Sequence, residues 1–412
     1  MTSHPAVAAL PPLRLAAYGA LGLPLAAAAL PIYVFAPKFY AGLGLSLAMA
    51  GAILLAARVA DALIDPWLGL LSDRADAPRG FIAIALLPLI VGMVAMFNPG
   101  TAVPLALWLA FTVAVVTLGF SAASIAFQSW GARVGRPDER AKVTATREAF
   151  GLAGVVLASV LPQWFAPTVE AGLSAAVWVL AGLTVMCAAV TLVFAPSMAP
   201  TPSARGLRGG PLNALKSRSF RILLAVFAAN GIAAAIPATL FLFFVADTLG
   251  AESQSGAFLA LYFVSAALAL PLWVSMAARF GKRRAWAAAM LLAIAAFFWA
   301  FFLGQGDTIA FAAICVASGA ALGADLALPP ALLADAIATE QAQGAEGSYF
   351  GLWNTVTKFN LAIAAGLVLP ALQWTGYTSG APDTAAMLPV MYCLLPCTLK
   401  LLALTGLARL PE

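Results

Sequence analysis

The stretch "ARVADALIDPWLGLLSDR", Ala57–Arg74, decides the fold. Arg58, Asp61 and Asp65 interrupt an apolar run over residues 44–71, and Pro66 follows the second acid. The spacing i, i+3, i+7 puts all three charges on one face of a helix. Charge inside a membrane span is expensive and marks a functional site by default. Counting back from residue 71 at about 1.5 Å per residue puts Asp61 roughly 15 Å deep and Asp65 roughly 9 Å deep. Two carboxylates on adjacent turns can offer hard oxygen ligands to a small cation. They can also share one proton, because neighbouring carboxylates raise one another's proton affinity. Arg58 can neutralise one of them. A charge network that only locks helix packing is the plainer alternative, but two acids and one base leave an acid that packing alone does not need.

Outward from this helix, the whole chain has the same character. Of 412 residues, 63% are hydrophobic and 9% are charged, and the mean hydropathy is +0.96. A soluble domain is about a quarter charged. That excludes a soluble enzyme, a nucleic-acid binder and a disordered chain. A span needs roughly 20 apolar residues. Apolar runs occur at 13–36, 44–71, 81–98, 102–131, 145–166, 171–195, 219–246, 254–278, 285–304, 308–338, 347–373 and 385–408. Twelve helices are therefore expected, since an open strand cannot satisfy its backbone in hydrocarbon. The first run is too long for a signal-peptide core and is kept as a span. Cys187, Cys315, Cys393 and Cys397 all sit in apolar runs and read as small hydrophobes. The single histidine, His4, is in the N-terminal tail, so histidine chemistry within the membrane is not expected.

Lys and Arg collect in loops after even-numbered spans: Arg74 and Arg79; Arg133, Arg136, Arg140 and Lys142; Arg205, Arg208, Lys216 and Arg218; Arg279, Lys282, Arg283 and Arg284. Loops after odd spans hold one base, Lys38, and scattered acids such as Glu170, Asp247 and Asp383; the loop after span 10 is the exception, with Glu340 and Glu346 and no base. The alternation predicts a plasma (inner) membrane protein with both termini in the cytoplasm. The polar stretch 196–218 divides the chain into two six-helix bundles, 1–195 and 219–412. "LPIYVFAPKFY" and the basic loop after span 2 have counterparts in "IPATLFLFFVADTLG" and "ARFGKRR". Weak duplication of this kind marks a transporter built from two related bundles.

Other charged and polar residues are weighed on the same terms. Asp325 on span 10 and Lys358 on span 11 fall at roughly 16–18 Å depth and could pair, as structure or as part of a substrate site. Trp353, Asn354 and Thr357 accompany Lys358. Arg147 and Glu148, a turn into span 5, are a gate or an interfacial anchor. Ser121, Ser124 and Gln128 form a polar row on span 4, and Tyr18 is a further cavity-lining candidate. Asp73 and Arg74, with Arg283 in the counterpart loop, read as latches between helix ends that control access rather than touch ligand.

The helix-2 segment "ARVADALIDPWLGLLSDR" is similar to the signature of the glycoside–pentoside–hexuronide:cation symporters within the major facilitator superfamily. "YGALGLPLA" on span 1 and "GLWNTVTKFN" on span 11 extend the similarity more weakly across most of the chain. The resemblance implies two pseudo-symmetric six-helix bundles and alternating access. It implies that Asp61 and Asp65 bind the coupling cation, H⁺ or Na⁺, with Lys358 near that site, and that Arg147 faces the cavity; Arg58 joins the coupling set from its place on the same helix face. The sugar permease of that family grips sugar hydroxyls with acids on helices 1 and 4. The matching positions here are Pro24 and Ser124, which counts against galactosides. The same branch resembles sodium-dependent lysophospholipid symporters, whose amphipathic substrate suits an acid-poor cavity.

The expected function is cation-coupled symport of a small organic solute, by family resemblance a sugar or glycoside, with a lysophospholipid-type lipid as the alternative. No cofactor is expected beyond the coupling ion, and no metal beyond Na⁺ at Asp61 and Asp65. The expected partners are the solute and the bilayer, with no nucleic acid and a monomer as default. A membrane-embedded lipid-modifying enzyme holding a metal on Asp61, Asp65 and Asp73 is disfavoured, because no nucleophile or phosphate loop accompanies them. A sensor or scramblase would need no coupling acids, so neutralising Asp61 separates that class from a symporter.

Overall fold

A computed structural model describes residues 10–75, 78–100, 102–166, 169–198, 210–377 and 386–410. His4, Arg205, Arg208 and Asp383 lie outside the described residues, as do the side chains of Lys38 and Glu170. The described chain is all helical. Its long helices are α1 (Pro12–Leu30), α2 (Leu47–Arg74), α3 (Pro78–Met96), α4 (Leu105–Ala132), α5 (Arg140–Val160) and α6 (Val169–Phe194). Then come α7 (Arg218–Phe243), α8 (Ser255–Phe280), α9 (Lys282–Ala300), α10 (Thr308–Thr339), α11 (Glu346–Trp374) and α12 (Val390–Ala408). Eleven stretches among the described residues are long and apolar enough to cross a membrane. Helix α2 is not among those eleven, but its 28 residues reach roughly 42 Å. It is also the helix that carries Arg58, Asp61 and Asp65.

Local chemistry starts and stops these helices. The Ser46 and Ser217 hydroxyls accept the backbone N–H of Met49 at 3.2 Å and Phe220 at 3.0 Å, capping α2 and α7. Helix α8 ends at Gly281, whose φ of +89° is open to glycine at little steric cost. Single π-turns at Pro31–Phe35, Phe244–Thr248 and Val390–Leu394 follow α1, follow α7 and open α12. Each inserts a residue into the helical ladder.

The residues group into two compact units, Met1–Leu212 with Ile337–Thr355, and Asn213–Ala336 with Val356–Glu412. In the first, Tyr18 is fully buried, its ring 4.5 Å from Phe127 and 6.0 Å from Trp130. Arg79, in the first turn of α3, donates to the Ala195 carbonyl at 3.1 Å and lies 5.0 Å over the Trp130 ring. An arginine at the start of α3 thus caps the C-terminal end of α6. In the second unit, Phe244 stacks on Tyr392 at 4.1 Å within a core that includes Phe258, Phe297 and Phe311. The four cysteines are buried and carry free thiols. Large apolar side chains such as Trp67, Leu268, Trp299 and Ile309 stay exposed, as surfaces solvated by lipid require.

Small residues let the helices approach, because packing in lipid depends on close van der Waals contact. A Cβ at Gly319 or Gly323 of α10 would run into the backbone of α8 at Tyr262 or Ala266. A Cβ at Gly154 of α5 would overlap the Leu23 carbonyl of α1, whereas Gly182 of α6 has open space around it. Gly154→Ala is therefore expected to destabilise the protein by about 1–3 kcal/mol, and Gly182→Ala to stay within about 0.5 kcal/mol. Thermal unfolding of the two variants in the same detergent checks the difference.

Candidate functional site

The helix-2 acids come to rest inside the first unit. Asp61 is 4% exposed and Asp65 is fully buried. The Ser121 hydroxyl of α4 donates to Asp61 Oδ1 at 2.6 Å. The serine row on α4 thus meets the acidic row on α2, so Ser121 joins the candidate site. Arg58 is half-buried on the same helix.

Residues 346–355 of α11 pack against the same stretch of α2. Gly351 leaves no room for a Cβ beside the Asp65 carbonyl, and Thr355 Oγ1 donates to the Ala62 carbonyl at 2.9 Å. Those contacts fix the backbone on either side of the acids. The Gln128 amide donates to Asn354 Oδ1 at 3.3 Å, bringing two predicted cavity residues together. Trp353 and Ser124 are buried. Thr357 is exposed and Lys358 is half-buried, and both belong to the second unit.

A second polar cluster in the first unit joins α1 to α5. Arg147 Nε donates to Glu148 Oε1 at 2.9 Å, and Arg147 also hydrogen-bonds Tyr18. The Tyr18 hydroxyl donates to the Phe127 carbonyl at 3.0 Å. Arg147 keeps only 12% of its side chain exposed and Glu148 23%.

Asp73, two residues past the span 44–71, closes the basic end of α2 against the start of α11. It accepts from the Gly347 N–H at 2.6 Å, the Ser348 N–H at 2.8 Å and the Ser348 hydroxyl at 2.6 Å. An acid at a helix N-terminus meets unsatisfied N–H groups and the positive end of the dipole. Arg133 Nε lies 3.8 Å from Glu346 in the same turn. Arg74 is exposed. Arg283 donates to the Leu410 carbonyl and so caps the chain after α12.

Burial pushes the Asp73 carboxyl up to about 7; the Ser348 and Gly347 donors oppose the rise and the Glu346 charge adds to it. Between its ordinary value of 3.8 and about 7, the folded chain holds a proton there that the unfolded chain has released. The stability from this group is full below 3.8 and is lost as pH rises through about 7. Asp73→Asn is expected to flatten that part of the unfolding temperature against pH curve. Asp73→Ala should destabilise by about 1–3 kcal/mol, because the Gly347 and Ser348 donors lose their acceptor. Thermal scans from pH 5 to 8 test both.

The second unit departs from expectation at Asp325. Its partners are Lys400 Nζ at 3.2 Å and Trp286 Nε1 at 2.7 Å, not Lys358, with which depth alone allowed a pairing. Lys400 also donates to Asn230 Oδ1 at 2.6 Å. Lys282, the first residue of α9, pairs with Asp335 at 2.6 Å. Depth alone matched Asp325 with Lys358, and depth carries no information on which face of each helix meets which. The signal for Lys400 was present, a lone lysine inside "CTLKLLAL" of the last apolar run.

Residues 15–411 match the family described as "MFS/sugar transport protein". A curated zebrafish (Danio rerio) protein, sodium-dependent lysophosphatidylcholine symporter 1-A, is 26% identical over 151 residues. The match covers 34% of this chain and 27% of that protein. Among solved structures, the E. coli fucose:proton symporter FucP superposes with a TM-score of 0.70 at 14% identity, covering 95% of this chain and 97% of that one. A bacterial homologue of the iron transporter ferroportin gives 0.72 at 15%, covering 97% and 99%. The human organic anion transporter MFSD10 gives 0.68 at 18%, covering 95% and 100%. At such identities the likeness shows the fold alone, a twelve-helix major facilitator architecture.

Proposed function

Because this chain belongs to the MFS/sugar transport protein family, we propose that it is a cation-coupled symporter of a small organic solute. Family and fold make it a membrane transporter rather than an enzyme. One observation supports coupling above all: two carboxylates, Asp61 and Asp65, lie buried four residues apart on a membrane helix. A buried carboxylate is costly unless paired or hydrogen-bonded. The Ser121 hydroxyl donates to Asp61 at 2.6 Å. H⁺ or Na⁺ is the ligand class that suits a pair of such acids. Entry of the ion would favour reorientation when solute is also bound, as alternating access requires. The termini are then cytoplasmic, in keeping with the basic loops.

A sugar or glycoside is the first solute class. Gln128, Asn354, Trp353, Ser124 and Arg147 of the first unit supply hydrogen-bonding and stacking groups. The family resemblance alone assigns Lys358 to the coupling acids. A lysophospholipid is the second class, favoured by the sodium-dependent lysophosphatidylcholine symporter among the relatives. The test uses proteoliposomes loaded with a pH-sensitive dye, given methyl glycosides or lysolipids with and without Na⁺. Solute-dependent proton or Na⁺ uptake supports the proposal. Solute flux that is indifferent to both ions removes it.

A further inference from the structure

The network around Asp325 joins four helices of the second unit, α7, α9, α10 and α12, through Asn230, Trp286, Asp325 and Lys400. Three members are sealed: Trp286 is fully buried, and Lys400 and Asn230 are each 3% exposed. The fourth, Asp325, keeps 13% of its side chain open. Both donors to the carboxylate are thus buried, while the Asp325 side chain itself keeps some exposure. A carboxylate has about four lone-pair sites; Lys400 and Trp286 occupy one on each oxygen. The remaining capacity sits on a carboxylate whose position two buried donors fix, so a hydrogen-bond donor arriving there meets a preorganised acceptor.

The charge balance narrows what that donor can be. Lys400 Nζ lies 3.2 Å from Asp325 Oδ2, so the pair is close to neutral. An arriving cation would meet the ammonium's repulsion along with the carboxylate's attraction. A neutral hydroxyl meets no such opposition and gains a charge-assisted bond. We infer that Asp325 is a hydroxyl-accepting subsite, positioned by Lys400, Trp286 and Asn230, that selects neutral hydroxylated groups over cations. This rests on the solute-symport reading above. The hydroxyls can belong to a free glycoside or to a polyol headgroup on a lysolipid, and one experiment separates these sources.

Binding to purified protein in detergent is measured by isothermal titration with two probe sets. One set is a methyl glycoside, its singly deoxygenated analogues and its 2-amino-2-deoxy analogue. The other is lysophosphatidylglycerol against lysophosphatidylcholine, whose headgroup carries no N–H or O–H donor. The variants are Lys400→Arg and the uncharged pair Asp325→Leu/Lys400→Met, with folding checked by thermal unfolding. Wild type should prefer the parent glycoside over one deoxy analogue, or the glycerol over the choline headgroup, by about tenfold or more. The amino analogue should gain nothing. That one preference should shrink to within about threefold in the Asp325→Leu/Lys400→Met variant and survive in Lys400→Arg, while preferences at other hydroxyls persist. A network that only staples helices would shift all probes alike or none, and either result overturns the subsite. Wild type that binds no probe of either set overturns the hydroxylated-solute reading and the subsite with it. Wild type that discriminates among hydroxyls, with the same ratios in the double variant, overturns the subsite alone.

Discussion

Asp61→Asn should abolish solute-dependent cation uptake while leaving the protein folded. Asp61 is 4% exposed and accepts the Ser121 hydroxyl at 2.6 Å. An amide keeps an acceptor for that serine and nearly the same volume, so packing changes little. What it loses is the negative charge and the ability to hold a proton. A hydrogen bond to a charged group contributes about 1.5–3 kcal/mol, and each 1.4 kcal/mol is about tenfold in affinity. One substitution is thus expected to weaken cation binding by about 10- to 100-fold. Asp65→Asn should act alike, because Asp65 is fully buried one turn further along. Ser121→Ala removes only one donor and should cost about tenfold. Dye-loaded proteoliposomes measure the uptake, and counterflow of solute without a gradient measures the carrier itself. Loss of uptake with counterflow retained is the expected pattern. Uptake that survives both substitutions would remove Asp61 and Asp65 from the coupling site.

The helical class was readable because the hydrocarbon core leaves a backbone few choices, and apolar runs of about 20 residues mark spans directly. The acids of α2 were readable for a related reason. Charge in such a run is rare enough that Arg58, Asp61 and Asp65 stand out without any knowledge of their neighbours. Partners were much harder to read. Ser121 lies 60 positions from Asp61, and no local pattern joins them. Asp325 shows the limit most clearly, since its counter-charge Lys400 is 75 residues away on the last helix. Helix-helix faces are set by small residues such as Gly319 and Gly323, whose role depends on what lies opposite. The Asp73 latch was half legible: an acid at a helix end was evident, but its seat on the Gly347 and Ser348 N–H groups is tertiary.

Lys400→Met should be among the most destabilising single substitutions in the second unit, by about 3–5 kcal/mol. Lys400 is 3% exposed, and its ammonium is the cationic partner of Asp325. Removing it leaves a carboxylate among apolar helices with Trp286 Nε1 at 2.7 Å as its remaining donor. Asp325→Asn alone has the converse defect, an ammonium held by neutral amides, that of Asn230 and the one the substitution introduces. The double substitution Asp325→Asn/Lys400→Met removes both charges together. It keeps an acceptor for the Trp286 indole and a side chain of similar length at position 400. Replacing a buried ion pair by uncharged groups is often neutral or stabilising, so the double variant should unfold near the wild-type temperature. The coupling energy is then large and opposite in sign to the single losses, as expected for residues in direct contact. Thermal unfolding of the four proteins in one detergent gives that cycle. Additive losses would mean that the two charges do not depend on each other, and the network would reduce to two independent packing contacts. Strong coupling with recovered stability would separate the pair's contribution to folding from any part it plays in recognising solute, because transport by the well-folded double variant then reports on recognition alone.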